Sequence, residues 1–394
     1  MIDLIRRKLL ISSCAMFISE SVRAKDSVQS KYTTVTPEMF GAVGDGVNDD
    51  TTAIERMFEA DADIISFSSH SIYKLSKTII YKGKIKVFAA NAKFLCDGDA
   101  FCFIDASGSE WNGGTFSPIK KPYIITRDTS TWEIIAEGFL SGTNGYEPSG
   151  NDLDIARRLN GTILSQNISC NLVFTSSTSN PVTNIKINNV TGTFCSIILE
   201  GCSYSEVNNC HLHGGQWDAI IFWNGVDSPA NDYKTKKNYF FSRGLYNQVK
   251  DNKCFYSGHN GILFAGNDYF KVENNETFKN GESGIKTMQF DGHFHESIIS
   301  RHGMIIGNIS YDNYYDGIDV AASFPDDKKI TTAHYTAGNH LYNNRRTGLW
   351  SNGIGNVSHK DIAHDNGYYG VLFKDKQNNL NNLSEYNNFK FYKK

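Results

Sequence analysis

Three acids in this chain are placed where they could do chemistry together: Glu282, Asp316 and Asp319. They stand in the segments Gly281-Glu282-Ser283-Gly284-Ile285-Lys286 and Asp316-Gly317-Ile318-Asp319. Cleavage of a glycosidic bond by hydrolysis needs two carboxyl groups. One is protonated and releases the leaving oxygen, while the other is ionised and activates water or attacks directly. Clustered carboxylates raise one another's pKa, which is one way to keep a proton on one of them. Spacing alone leaves a second reading open, in which Glu282 and Asp316-Gly317 are solvated turn residues, because Asp-Gly is a common turn pair.

The segments that carry these acids belong to a repeat. Gly261, Gly284, Gly317, Gly348 and Gly370 recur at intervals of 22 to 33 residues, each followed by an aliphatic residue: Ile262, Ile285, Ile318, Leu349, Val371. Six residues before each glycine lies Phe255, Phe278, Tyr311, Tyr342 or His364. Nine before it lies Asn252, Asn275, Asn308, Asn339 or Asp361, and four before it Ser257, Asn280, Asn313, Asn344 or Asn366. Helical solenoids of this period need long amphipathic helices, whereas these repeats are short β-branched or aromatic runs broken by Asn and Gly. Stacked strands place like above like, with aliphatic columns as a continuous core and Asn columns as amide ladders at the turns. The register therefore predicts an all-β chain, a right-handed parallel β-helix, with handedness taken from the crossover rule.

Alternation along each strand then predicts which residues face outward. The residue after each aliphatic one is Leu263, Lys286, Asp319, Trp350 or Leu372, so Lys286, Asp319 and Trp350 are expected on neighbouring rungs of one outer face. That puts an acid, a base and an aromatic ring within one sugar's reach. Lys286 also reads as an ion-pair partner of Asp319, and a register slip would turn Trp350 into the core. Glu282 and Asp316 fall on the turn just before this strand.

Along the rest of the chain, residues 1–24 carry Arg6-Arg7-Lys8, then Leu9-Leu10-Ile11 and Ala15-Met16-Phe17-Ile18, then Val22-Arg23-Ala24. This reads as a signal peptide with a twin-arginine-like start or, alternatively, as an N-terminal anchor. Residues 25–63 form the expected N-terminal cap. In it Asp49, Asp50 or Thr51 caps a helix whose apolar face is Ile54, Met57 and Phe58. The β-helix is expected over residues 64–373, with short, irregularly spaced strands from Ile64 to Phe116 and insertions near 118–159 and 224–246. Within the first, Trp132 to Leu140 reads as a short helix and Asn144 to Pro148 as a turn. Residues 374–394 read as a polar C-terminal tail. The eight cysteines and eleven histidines show no metal spacing, so neither metal nor cofactor is expected. With 39 Lys and Arg against 42 Asp and Glu, no broad basic surface points to nucleic acid. No apolar run approaches the ~20 residues of a transmembrane span.

Phe40 to Ile54 resembles the N-terminal cap motif of the pectate-lyase-like β-helix superfamily. Gly281 to Thr287 and Asp316 to Asp319 resemble the two catalytic segments of phage tailspike endorhamnosidases, which cleave Salmonella-type O-antigen, in the same order and at nearly the same separation. Weaker similarity runs through Gly83 to Gly98, Trp132 to Pro148 and Asn188 to Gly192. This resemblance implies a metal-free endo-acting glycoside hydrolase on a bacterial surface polysaccharide, O-antigen or capsule, with Glu282, Asp316 and Asp319 as catalytic carboxylates. It places Tyr315 and Met288 where the family has sugar-stacking tryptophans. Lys286, Tyr315 and Trp350 are the expected substrate-binding residues. Asp316 is assigned as the acid, and Glu282 with Asp319 as the water-activating pair, with inversion at the anomeric carbon. The resembling family is homotrimeric. Its head-binding and trimerising segments have no counterpart in this sequence, so a monomer is expected, exported to the periplasm or outside the cell, or else carried on a virion tail. Two alternatives stand beside the hydrolase. A polysaccharide lyase would need a cation site and a Lys or Arg base, for which Asp326-Asp327 with Lys328-Lys329 is the one loose fit. A glycan-binding adhesin would use the same groove without catalysis.

Overall fold

The columns read from the sequence are columns in space. The structure is a computed structural model that describes residues 33–119, 123–128, 134–139, 161–166, 170–215, 217–224, 242–287, 299–320, 330–375 and 379–388. One turn of the coil consists of Lys271–Glu273, Glu276–Phe278 and Ile285–Thr287. Each of these strands pairs in parallel with Met304–Ile306, Ile309–Tyr311 and Ile318–Val320 of the next turn. Repetition of that step gives a right-handed parallel β-helix. One wall is a ten-stranded parallel sheet running from Ile79–Lys82 to Val371–Phe373, and this wall carries the candidate site.

The interior is held by the aliphatic column. Ile262, Ile285, Ile318, Leu349 and Val371 are all completely buried. Burying one such side chain contributes about 1.5–3 kcal/mol, and stacking extends the same contact from rung to rung. At the turns the Asn columns act as predicted. The backbone N–H of Asn275 donates to Asn308 Oδ1 at 2.8 Å, and Asn308 N–H donates to Asn339 Oδ1 at 2.9 Å. Asn308 Nδ2 meanwhile donates to the Val272 and Ile306 carbonyls. Each buried amide thus satisfies turn groups that no ladder reaches, which would otherwise cost about 1–3 kcal/mol apiece. Phe255, Phe278, Tyr311, Tyr342 and His364 stack face to face, with centroids 4.7, 4.9, 4.9 and 5.2 Å apart, close to the rung spacing.

The N-terminal end is closed by the helix Thr51–Phe58. Its N-cap is Asp50, whose carboxylate accepts from the Val43 and Gly44 N–H groups, while Asp49 Oδ1 accepts from Thr51 N–H. Ile54, Met57 and Phe58 are buried as expected, with Phe58 against Tyr81, Phe101 and Phe103.

Three readings need correction. Residues Ile134–Phe139, expected as helix, form a strand antiparallel to Tyr123–Asp128, which also pairs with Gly161–Gln166. An adjacent β-branched run supplies a partner, and pairing overrides a weak local helix preference. The early strands are not all short, since Lys86–Cys96 spans 11 residues and turns a corner at Ala90. The coil also continues past Phe373. Asn379–Asn381 and Ser384–Tyr386 stack on Val357–His359 and Ile362–His364, and Asn366 N–H donates to Asn388 Oδ1. The Asn-rich composition that suggested a tail there is ladder composition. The remaining expectations at residues 1–24, Asn144 to Pro148, Met288, Asp326 to Lys329, and most of the 224–246 excursion lie outside the described residues. The seven described cysteines are buried free thiols.

Candidate active site

Two outward columns meet on the ten-stranded wall. The first is the one the alternation predicted: Leu263, Lys286, Asp319, Trp350 and Leu372 are register partners on successive rungs. The second lies on the turn two residues before the glycine column. There His259 N–H donates to Trp217 O (2.7 Å), Glu282 N–H to His259 O (2.7 Å), Tyr315 N–H to Glu282 O (2.8 Å) and Arg346 N–H to Tyr315 O (2.8 Å). Trp217, His259, Glu282, Tyr315 and Arg346 therefore form a line parallel to the helix axis.

Glu282 and Lys286 share a rung, and Lys286 Nζ lies 3.3 Å from Glu282 Oε2. Burial alone would raise the Glu282 pKa. The positive charge of Lys286, the neighbouring His259, and hydrogen bonds from Lys286 and Asn260 outweigh it and bring it down to about 2. Asp319, on the next rung, goes the other way. It is 5% exposed, and burial is the largest influence on it; Asp316 and Glu282 raise it further, while Lys286 and Arg346 oppose, leaving it pushed up to about 6. Its Oδ1 is buried with no hydrogen-bond partner among the described residues. Two carboxyl groups on adjacent rungs are thus held in different protonation ranges, the arrangement that separates a base from an acid.

Asp316 is placed differently from the other two acids. It is fully buried, and both its oxygens accept from the Arg346 guanidinium: Nε donates to Oδ1 at 2.9 Å and Nη2 to Oδ2. Oδ1 also accepts from Thr347 N–H at 3.0 Å. That last bond belongs to a ladder. Asp218 Oδ1 accepts from Asn260 N–H, and Asn260 Oδ1 from Ser283 N–H, at the same position on earlier rungs. Asp316 is therefore a ladder residue one position removed from the outward column that holds Glu282. Three bonds hold it, two of them from a fork of fixed geometry, so it stands in the ladder and not, as the expected acid, on the outward turn beside Glu282.

Arg346 is the site residue the sequence reading did not name. It pairs with Asp316, lies 3.8 Å from Asp319 Oδ2, and is sandwiched among aromatic rings, 5.1 Å from the Tyr315 centroid and 4.5 Å from that of Trp350. The signal was available, since Arg346 precedes Gly348 by two residues as Glu282 precedes Gly284. Tyr315 and Trp350 do face outward, yet Arg346 stacks on both, and Lys374 lies 5.0 Å from the Trp350 centroid.

Neither the family models nor the curated proteins contain a match to this chain. Solved structures do match. The tailspike receptor-binding domain of siphovirus 9NA superposes with a TM-score of 0.57 at 16% identity, over 91% of this chain and 65% of that one. The tailspike receptor-binding protein of bacteriophage Det7 gives 0.56 at 15%, over 94% and 66%. The A-module of the Azotobacter vinelandii mannuronan C-5 epimerase AlgE6 gives 0.53 at 11%, over 91% and 97%. The chain spans about two thirds of the tailspike structures. At these identities the likeness establishes a shared fold, the parallel β-helix of tailspikes and of a polysaccharide-modifying enzyme. Among the described residues no helix is long and apolar enough to cross a membrane.

Proposed function

We propose that this chain is an endo-acting glycoside hydrolase of a bacterial surface polysaccharide, with Asp319 as general acid and Glu282 as general base. The observation that carries the reading is the split between these two carboxyls on adjacent outward rungs: Glu282 held ionised by Lys286, Asp319 held protonated by burial up to about pH 6. Asp319 gives its proton to the departing glycosidic oxygen. Glu282 takes a proton from the water that attacks the anomeric carbon. Asp316 anchors Arg346, whose guanidinium stands beside Asp319 and stabilises the carboxylate formed when the proton leaves. Lys286 keeps Glu282 ionised, and Tyr315 and Trp350 keep Arg346 in its plane.

The substrate class rests on the resemblance of the two acid-bearing segments to O-antigen-cleaving tailspikes, and the tailspike fold shared with 9NA and Det7 agrees with it. In this reading the protein works outside the bacterial cytoplasm, as an exported enzyme or on a virion tail. Among the described residues of this site, the bases a lyase could use are Lys286 and Arg346, and both are engaged by carboxylates. The deciding experiment is incubation of the purified protein with a panel of O-antigens and capsules, followed by product sizing and NMR. Saturated oligosaccharides whose first-formed reducing end has inverted configuration are expected. Retention would make one carboxylate a nucleophile, and an unsaturated uronate would replace hydrolysis with elimination.

A further inference from the structure

The outward line continues past Glu282, away from the acids. Two rungs toward the N-terminus it ends on Trp217, which is 47% exposed, unusual for so large an apolar side chain on this wall. His259 lies between them on the intervening rung and is itself almost buried. Its ring meets the Trp217 indole edge to face, with centroids 4.6 Å apart at 89°. His259 therefore props the indole up and offers little surface of its own. Beside these two rungs, the first outward column also changes character. Where Lys286 and Asp319 stand further along, it holds Ile221 and Leu263, register partners that are themselves buried and form an apolar floor.

We infer that Trp217, with Ile221 and Leu263 beside it and His259 beneath it, forms a sugar-binding subsite for a neutral pyranose of the polysaccharide. The inference rests on the hydrolase reading above and extends it to the direction of the bound chain, which runs along the helix axis. An exposed aromatic ring beside an apolar floor matches the C–H face of a pyranose. Two rung steps of about 4.8 Å separate Trp217 from Glu282, roughly a disaccharide's length. A sugar on Trp217 is thus bound in the same chain as the one being cleaved but makes no contact with the acids. Its contribution is to binding and register, equal in ground state and transition state, so it should appear in KM rather than kcat.

The test compares wild type, Trp217→Ala and Trp217→Phe on the polysaccharide that wild type depolymerises in the panel, and on oligosaccharides of stepwise length prepared from it. Trp217→Ala is expected to raise KM for the polymer about tenfold with kcat within twofold, to leave the shortest cleaved oligosaccharide unaffected, and to lengthen the limit products. Trp217→Phe, which keeps a ring and the fold, should stay within about threefold of wild type. Equal KM and equal product lengths for wild type and Trp217→Ala would overturn the subsite. So would a changed sedimentation mass with unchanged length dependence, which would make the indole a protein contact. If wild type cleaves nothing in the panel, affinity electrophoresis in the same polysaccharides separates the two claims. Retention lost in Trp217→Ala keeps the subsite and removes the hydrolase reading, and absence of wild-type retention overturns both.

Discussion

Asp319→Asn is expected to lower kcat by about 10²–10⁴, the range a positioned general acid supplies, while making the folded protein more stable above neutral pH. The two effects have one cause. The Asp319 carboxyl has a pKa of about 6 in the fold against an ordinary value of 3.8. A carboxyl raised in this way binds its proton more tightly when folded. Its favourable contribution is complete below the unfolded value and is lost as pH rises through about 6. Above that, the fold carries an ionised, nearly buried carboxylate at a cost of about 2–3 kcal/mol by the usual conversion. Asparagine removes the charge at constant size, so the melting temperature of the variant should exceed that of wild type at pH 8, with the gain shrinking toward pH 4. A stability difference independent of pH, or a folded Asp319→Asn protein with full activity, would take Asp319 out of the acid's role.

Arg346→Ala is expected to destabilise the protein by about 2–4 kcal/mol, because it leaves the fully buried Asp316 carboxylate without its counter-ion. The figure lies somewhat below that for an entirely enclosed pair, since the guanidinium side is partly open to water. Arg346→Lys keeps the charge but loses the two-pronged fit and the ring stacking, and should recover only part of the loss. The double variant Arg346→Ala/Asp316→Asn should recover most of it, because the amide oxygen still accepts from Thr347 N–H and no charge is stranded. Urea melts of wild type, Arg346→Ala, Asp316→Asn and the double variant close the cycle, with Arg346→Lys measured beside them. A loss below about 0.5 kcal/mol for Arg346→Ala would mean the pair behaves as an exposed one.

These two predictions separate residues that the sequence leaves together. Repeat columns could be read directly, because Ile285 above Ile318 and Asn275 above Asn308 are the same residue in the same place on successive turns. The outward position of Lys286, Asp319 and Trp350 followed from period-two alternation alone. Glu282 and Asp316 were harder. Both fall on a turn before the strand, and no periodicity gives the direction of a turn residue. A single position divides them: Glu282 is two residues before its glycine and faces the groove, while Asp316 is one before and joins the Asp218–Asn260 ladder. Arg346 sits in the same outward offset as Glu282, but its partners lie on a different rung, a relation that only the stacked coil supplies. Past Phe373 the opposite error arises, because polar Asn at a buried ladder has the composition of a solvated tail.

The central claim is that Asp319 acts protonated and Glu282 ionised, and the pH dependence of kcat/KM tests it most directly. For wild-type protein on its cleaved polysaccharide, the profile should be level between about pH 3 and 6. It then falls tenfold per unit above about 6 as Asp319 loses its proton, with any acid limb near 2, where Glu282 gains one. A rate that instead rises through pH 6 to an alkaline plateau would require Asp319 deprotonated, which is incompatible with its acting as the acid.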